Sequence, residues 1–181
     1  MCPIPGKNRL LERYRATYCK YPEEYRLEYD IILHVGYLEL LSQLTTVDPS
    51  TTRQAFEDRF DELFPVADRS WNIFSRKKPK ESPYRIVVIE DVELGKIIGT
   101  ATLFKELKFI RGCAACGHVE DVVVDSGYRG RQLGKKLLER LRQEAVDMGC
   151  YKMILDCSEE NQPFYEKCGL TRKEIQMVEY L

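Results

Sequence analysis

Apolar positions recur every fourth residue in LGKKLLERLRQEAVDMG: Leu133, Leu137, Leu141 and Ala145 alternate with lysine, arginine and glutamate. This is the stripe of an amphipathic helix, and Gly149 stands where a left-handed stop belongs. Before it, His118 to Val124 reads as a strand rich in valine, and Tyr151 to Cys157 after it reads as another. Upstream, Tyr84 to Asp91 and Lys96 to Phe104 are β-branched runs around a turn at Glu93 to Gly95, the pattern of an antiparallel hairpin. KELKFIRGCAACG then reads as a loop. Nearer the N-terminus, Leu33, Tyr37, Leu40, Leu41 and Leu44 are spaced helically from Ile31, and TTVDPS breaks the run. Ser50 can cap a second helix marked by Phe56, Phe60 and Leu63.

Ser158 or Asn161 can cap a short helix over Pro163 to Lys167, ended by Gly169, and the last ten residues suit a final strand. The charged, proline-bearing stretch from Ser75 to Tyr84 reads as a surface loop. The predicted class is α+β, with a mixed, mostly antiparallel central sheet flanked by helices. Residues 1–30 hold five tyrosines among alternating charges and no long apolar period. They read as an N-terminal extension, and residues 31–181 as one domain.

Composition narrows the partners. With 28 basic and 29 acidic side chains in 181 residues, the net charge is -1, so no overall field favours nucleic acid or an anionic membrane. Any anion site has to be local. Seven cysteines, an odd number without an N-terminal apolar signal run, fit reduced thiols in an intracellular protein. No apolar run approaches the roughly 20 residues that span a bilayer.

The local anion site is legible between strand and helix. Arg129, Gly130, Arg131, Gln132, Leu133 and Gly134 place successive backbone N–H groups at a helix N-terminus, where the unpaired donors and the dipole favour a phosphate. GxxxxGK[ST] and GxGxxG are both absent. A solvated basic helix start is the plain alternative. Cys113-Ala-Ala-Cys116-Gly-His118 begins a zinc-like spacing, but no second CxxC or paired histidine completes four ligands, so the reading is a loop with two thiols and no metal.

GHVEDVVVDSGYRGRQLGKKLL followed by GCYKMILDCSEENQPFYEKCGL resembles the glucosamine 6-phosphate N-acetyltransferases, a family within the GNAT acetyltransferase superfamily. The resemblance is strong from about Tyr84 to Leu170 and absent in the first 30 residues. The superfamily's Gln/Arg-x-x-Gly/Ala-x-Gly/Ala loop falls on Arg129 to Gly134, where Gln132 replaces the usual small residue; an ordinary helical backbone is therefore expected there. The resemblance implies direct transfer of acetyl from acetyl-CoA to the 2-amino group of glucosamine 6-phosphate, for UDP-N-acetylglucosamine synthesis. It also implies a cytoplasmic homodimer that shares its sugar sites, with an organelle remaining open.

Residue by residue, it implies acetyl-CoA contacts from Val122, Val123, Val124, Arg129, Gly130, Arg131, Gln132, Leu133, Gly134, Lys135, Asn161 and Tyr165. Sugar contacts fall on Thr45, Lys108, Phe109, Ile110, Arg111, Glu120, Asp121, Val122, Tyr151, Lys152 and Asp156. Val122, Asp156 and Tyr165 take the catalytic positions. The chemistry suits these types: a backbone N–H freed by a bulged strand can hold an oxyanion, and a phenol can serve a departing thiolate. Carboxylates suit the ammonium, and cations suit the phosphate. Tyr180 stands where the family often has arginine. An acetyltransferase acting on another amine or a peptide terminus, and a noncatalytic CoA-binding dimerisation module, are the alternatives.

Overall fold

The computed structural model describes residues 14–18, 36–64 and 82–181. Five strands form one sheet in sequence order: β1 (Tyr14–Tyr18), β2 (Tyr84–Asp91), β3 (Lys96–Leu107), β4 (Ala115–Val124) and β5 (Cys150–Ile154). The first four pair antiparallel and β5 joins β4 in parallel, so the sheet is mixed, as expected. Helices α1 (Tyr37–Leu41), α2 (Arg53–Leu63), α3 (Leu133–Asp147) and α4 (Gln162–Lys167) complete the architecture.

The continuous apolar run in β2 is explained by cover on both faces. Val87 and Ile89 pack toward α3, whereas Ile86 and Val88 pack with Tyr37, Leu40, Phe60 and Phe64 of the α1–α2 side. The periodic stripe of α3 is the other half of the first cluster: Leu133, Leu137, Leu138 and Leu141 are all buried. Burial of each leucine contributes about 1.5–3 kcal/mol, enough to seat the helix on the sheet. Gly149 ends it at φ 73, as the pattern required.

Several boundaries differ from the sequence expectation. β3 runs to Leu107 and β4 begins at Ala115, so much of KELKFIRGCAACG is strand, joined by a tight turn at Ile110–Cys113. Cross-strand pairing extends both elements beyond their β-branched cores. The N-cap of α2 is Thr52, whose side chain accepts from the Ala55 amide; the Ser50 hydroxyl is turned to Asp48 instead. β1 arises within the extension, where no element was legible, because pairing with β2 stabilises it.

The expected final strand does not form. Residues 171–181 have no secondary structure, and Ile175, Met177, Val178, Tyr180 and Leu181 are exposed. A strand needs a partner, and this tail pairs with none of the described residues. The expected helix start at Ile31 and most of the 75–84 loop lie outside the described residues.

The turn after β4 is tied down by side chains. Asp125 accepts from the Gly127 amide at 2.9 Å, from Lys96 Nζ at 2.8 Å and from Gln43 Nε2 at 3.3 Å. Gln43 also accepts from the Ser126 amide, and the Tyr128 hydroxyl donates to buried Asp91 at 3.0 Å. The Lys96 contact holds the Asp125 carboxyl below its ordinary range.

Candidate active site

The site begins at a bulge. Thr100 faces Val123 and Thr102 faces Glu120, so two steps along β3 are matched by three along β4. The extra residue is accommodated by Asp121 at φ 52, and Asp121 and Val122 fall outside the regular pairs. On the other side, the last β4–β5 pair is His118 with Ile154. Beyond it no pair joins the two strands, and Val122, four residues further along β4, turns its side chain to the α3 cluster.

The loop between β4 and α3 has the features of an anion cradle. Gly130 takes φ 78, with nothing within 4 Å of where a Cβ would stand. Gln132 is left-handed at φ 61, against the expectation of a helical backbone: α3 starts one residue later and Gln132 is its N-cap. The helix begins without a side-chain cap, leaving its first-turn amides to an outside acceptor. Gly134 also answers to packing. A Cβ there would lie 2.9 Å from Phe164 Cζ, so the glycine lets α4 lie against α3.

Left-handed backbone concentrates at the expected site. Among the described residues, the non-glycine positions at positive φ are Arg111, Cys113, Asp121 and Gln132. Three are candidate site residues, and Cys113 lies two positions after Arg111. Such conformations cost about 1–2 kcal/mol each in residues with a Cβ, and are retained where the geometry they impose is used.

The candidate residues expected to meet the acceptor lie toward the side of β4 and β5 away from α3. Gly117 and Val119 face the helix, which places Cys116, His118 and Glu120 opposite; register adds Lys152 beside Cys116. Arg111 lies 5.4 Å from the centre of the Tyr151 ring and Lys152 lies 5.7 Å from it, a cationic cluster around one aromatic. Among the described residues, neither cation forms an ion pair. Lys108 is engaged, 2.5 Å from Glu106. Phe109 and Ile110 are exposed in the same turn.

The acidic side is also assembled. Glu120 keeps solvent access, yet desolvation by the surrounding protein raises its pKa, reinforced by Asp121 and Asp156 and opposed by His118. Asp121 is raised by desolvation alone. The Asp156 carboxylate accepts from Gln176 Nε2 at 3.0 Å, bringing the C-terminal tail to the site's edge. Thr45 is exposed on the α1 side, two residues from the Gln43 that braces the β4 turn; no contact joins it to the cationic cluster.

Tyr165 projects from α4 into the α3 cluster and is partly buried. Burial pushes its phenol up, with Cys157 and Cys168 adding to the effect, so it remains a neutral donor at neutral pH. Asn161 precedes α4; its side chain donates to Ser158 Oγ, and its carbonyl accepts from the Tyr165 amide. Sequence reasoning missed Gln43, Asp91, Lys96 and Asp125 as braces. Asp-Ser-Gly signalled an Asp-led turn, but its distant partners left no local signal.

A bulged strand of a mixed sheet thus leads into a helix start that has no side-chain cap. The model of the acetyltransferase (GNAT) family matches residues 44–170. Glucosamine 6-phosphate N-acetyltransferase of Arabidopsis thaliana is 48% identical over 145 residues, spanning 80% of this chain and 87% of the relative. Its counterpart in Dictyostelium discoideum is 44% identical over 146 residues, 81% and 83% of the two chains. The crystal structure of the Arabidopsis thaliana enzyme superposes with a TM-score of 0.69 at 43% identity, covering 92% of this chain and 98% of that one. The chain belongs to the GNAT family, on its glucosamine 6-phosphate N-acetyltransferase branch. GNAT acetyltransferases use acetyl-CoA.

Proposed function

We propose that this protein transfers acetyl from acetyl-CoA to the 2-amino group of glucosamine 6-phosphate, giving N-acetylglucosamine 6-phosphate and CoA for UDP-N-acetylglucosamine synthesis. The observation that carries it is the presence, around the same two strands, of a cationic group, Arg111 and Lys152 at Tyr151, and an acidic group, Glu120 with Asp121 and Asp156. An amino sugar phosphate presents the opposite charges at its two ends. A polyamine or peptide amine would leave the cations without a partner.

Acetyl-CoA supplies the activated acyl thioester. Arg129 to Lys135 bind its pyrophosphate through backbone amides and Arg129 and Arg131, and Asn161 lines the opening before α4. Val122 to Val124 offer backbone to the pantetheine arm where β4 leaves β5, and the Val122 N–H faces the oxygen on which negative charge develops. Glu120, Asp121 and Asp156 orient the ammonium, and Asp156 takes a proton from it so that the nitrogen lone pair can attack the acyl carbon. The C–S bond breaks, and Tyr165 Oη hydrogen-bonds or protonates the departing sulfur. Acyl transfer by this route asks no metal of the chain. Lys108, Phe109, Ile110, Arg111, Tyr151 and Lys152 form the phosphate and sugar wall, with Thr45 contributing a hydroxyl from the helical side.

The test is direct: incubation with acetyl-CoA and glucosamine 6-phosphate should yield N-acetylated sugar phosphate and free thiol in equal amounts by mass spectrometry and thiol titration. Acetylation of a polyamine or peptide terminus in preference to the sugar phosphate would overturn the reading.

A homodimer is part of the same proposal. β5 is an edge strand with β4 as its partner, and the tail presents five apolar side chains to solvent. An open edge and an uncovered apolar segment are the surfaces that a second copy can pair and cover. Because Gln176 touches Asp156, covering the tail would bring the partner to the sugar site. Removal of residues after Lys173 should convert a dimer to monomer in sedimentation equilibrium; an unchanged mass would assign the dimer contact elsewhere. No described helix is long and apolar enough to cross a membrane. A cytoplasmic location is part of the same proposal. Residues 31–181 are proposed as the catalytic domain, with β1 of the extension completing its sheet.

A further inference from the structure

β3 and β4 bring three unlike donors to one point on the sheet face away from α3. Glu106 and Cys116 stand opposite each other in register, and His118 follows two residues along β4 on the same face. One carboxylate oxygen, the Cys116 sulfur and a His118 ring nitrogen all lie within 4.8 Å of one another. We propose that Glu106, Cys116 and His118 form a binding site for a zinc-like divalent cation, beside the sugar site and separate from the transfer chemistry.

The donor set fits such an ion. Thiolate, imidazole and carboxylate are the ligand types of zinc, and one negative charge each from cysteine and glutamate neutralises the dication. Metal–ligand bonds of about 2.0–2.3 Å in a tetrahedron set neighbouring donors about 3.3–3.7 Å apart. His118 Nε2 and Glu106 Oε2 are 2.8 Å apart, so they need to open by about half an ångström to admit the ion between them. Both side chains are only partly buried and have room to do so.

The surroundings already hold the donors. Lys108 occupies the other oxygen of Glu106 at 2.5 Å, the kind of outer contact that orients a ligating carboxylate. The Phe104 ring lies 6.0 Å from the imidazole. The Cys116 thiol is fully buried and its proton makes only a long contact with the Gly117 carbonyl. A thiol ligates a divalent ion as thiolate, so binding should release its proton to solvent. The CxxC spacing points to the wrong partner. Cys113 is exposed, with its sulfur against the Phe109 carbonyl, and the third ligand comes from the neighbouring strand.

The test titrates the full chain with cobalt(II), whose thiolate charge-transfer absorption in the near ultraviolet reports coordination by sulfur. A saturable band, displaced by zinc and accompanied by release of about one proton per metal in calorimetry with two buffers, is expected. Cys116→Ser should abolish the band, and His118→Ala and Glu106→Gln should each weaken cobalt binding by more than about tenfold. Cys113→Ser should leave the band intact. His118 is accessible, so its variant keeps the test valid if Cys116→Ser destabilises the core. Absence of saturable binding, a band that survives Cys116→Ser, or one lost in Cys113→Ser would overturn the proposal. The titration scores no acetyl transfer, so its failure is distinct from failure of the acetyltransferase reading.

Discussion

Replacing Tyr165 with phenylalanine should lower kcat by about 100-fold, the lower end of the range for a positioned acid, while acetyl-CoA binds almost as well as to wild type. The lower end is expected because the phenol is a weak acid here. Its burial raises the pKa further above that of a departing thiol, near 8.5 by analogy with cysteine. Its largest contribution is therefore a hydrogen bond that strengthens as charge builds on sulfur, an interaction made in the transition state and little used in the ground state. Phenylalanine preserves the ring that packs into the α3 cluster and meets Phe164 edge-on at 5.0 Å. Steady-state kinetics with calorimetric measurement of acetyl-CoA affinity separates the two effects. Wild-type turnover by the variant would remove Tyr165 from the chemistry, and loss of acetyl-CoA binding would make it a packing residue.

The second large effect concerns the phosphate. Wild-type enzyme should use glucosamine 6-phosphate far better than glucosamine, and Arg111→Ala should remove much of that preference. A hydrogen bond to a charged group contributes about 1.5–3 kcal/mol, so each one lost should cost about 10- to 150-fold in kcat/KM. The penalty should fall on the phosphorylated sugar, leaving residual glucosamine turnover nearly unchanged. Arg111 is expected to matter more than Lys108, because the Lys108 ammonium is already committed to Glu106, which raises its pKa. The left-handed turn that holds Arg111 over Tyr151 gives the guanidinium a fixed position from which to fork onto a phosphate. Equal kcat/KM for the two sugars in wild type would remove the phosphate from recognition and favour an acetyltransferase of some other amine.

The periodic leucines of α3, the β-branched hairpin and the glycine stops were legible in the sequence, because each expresses a local rule of spacing or backbone freedom. The cradle was proposed on the same kind of rule, since a helix start next to arginine and glycine offers its backbone amides to an anion. Other features depended on partners far away in the chain. Gly134 was legible as a required small residue, but only the approach of Phe164, thirty positions on, shows what it makes room for. Gln132 accepts a left-handed backbone that its side chain alone argues against, because the end of β4 and the start of α3 are both fixed by packing. The tail has apolar residues suited to a strand and pairs with none of the described residues, since pairing is a property of two segments and not of one. The incomplete zinc-like spacing of Cys113, Cys116 and His118 read as a loop with two thiols and no metal, whereas sheet register brings Glu106 from the neighbouring strand to Cys116 and His118. Sequence determined which residue types were available and which elements they form; tertiary structure decided which of them meet, because strand register and helix docking set distances that no linear spacing contains.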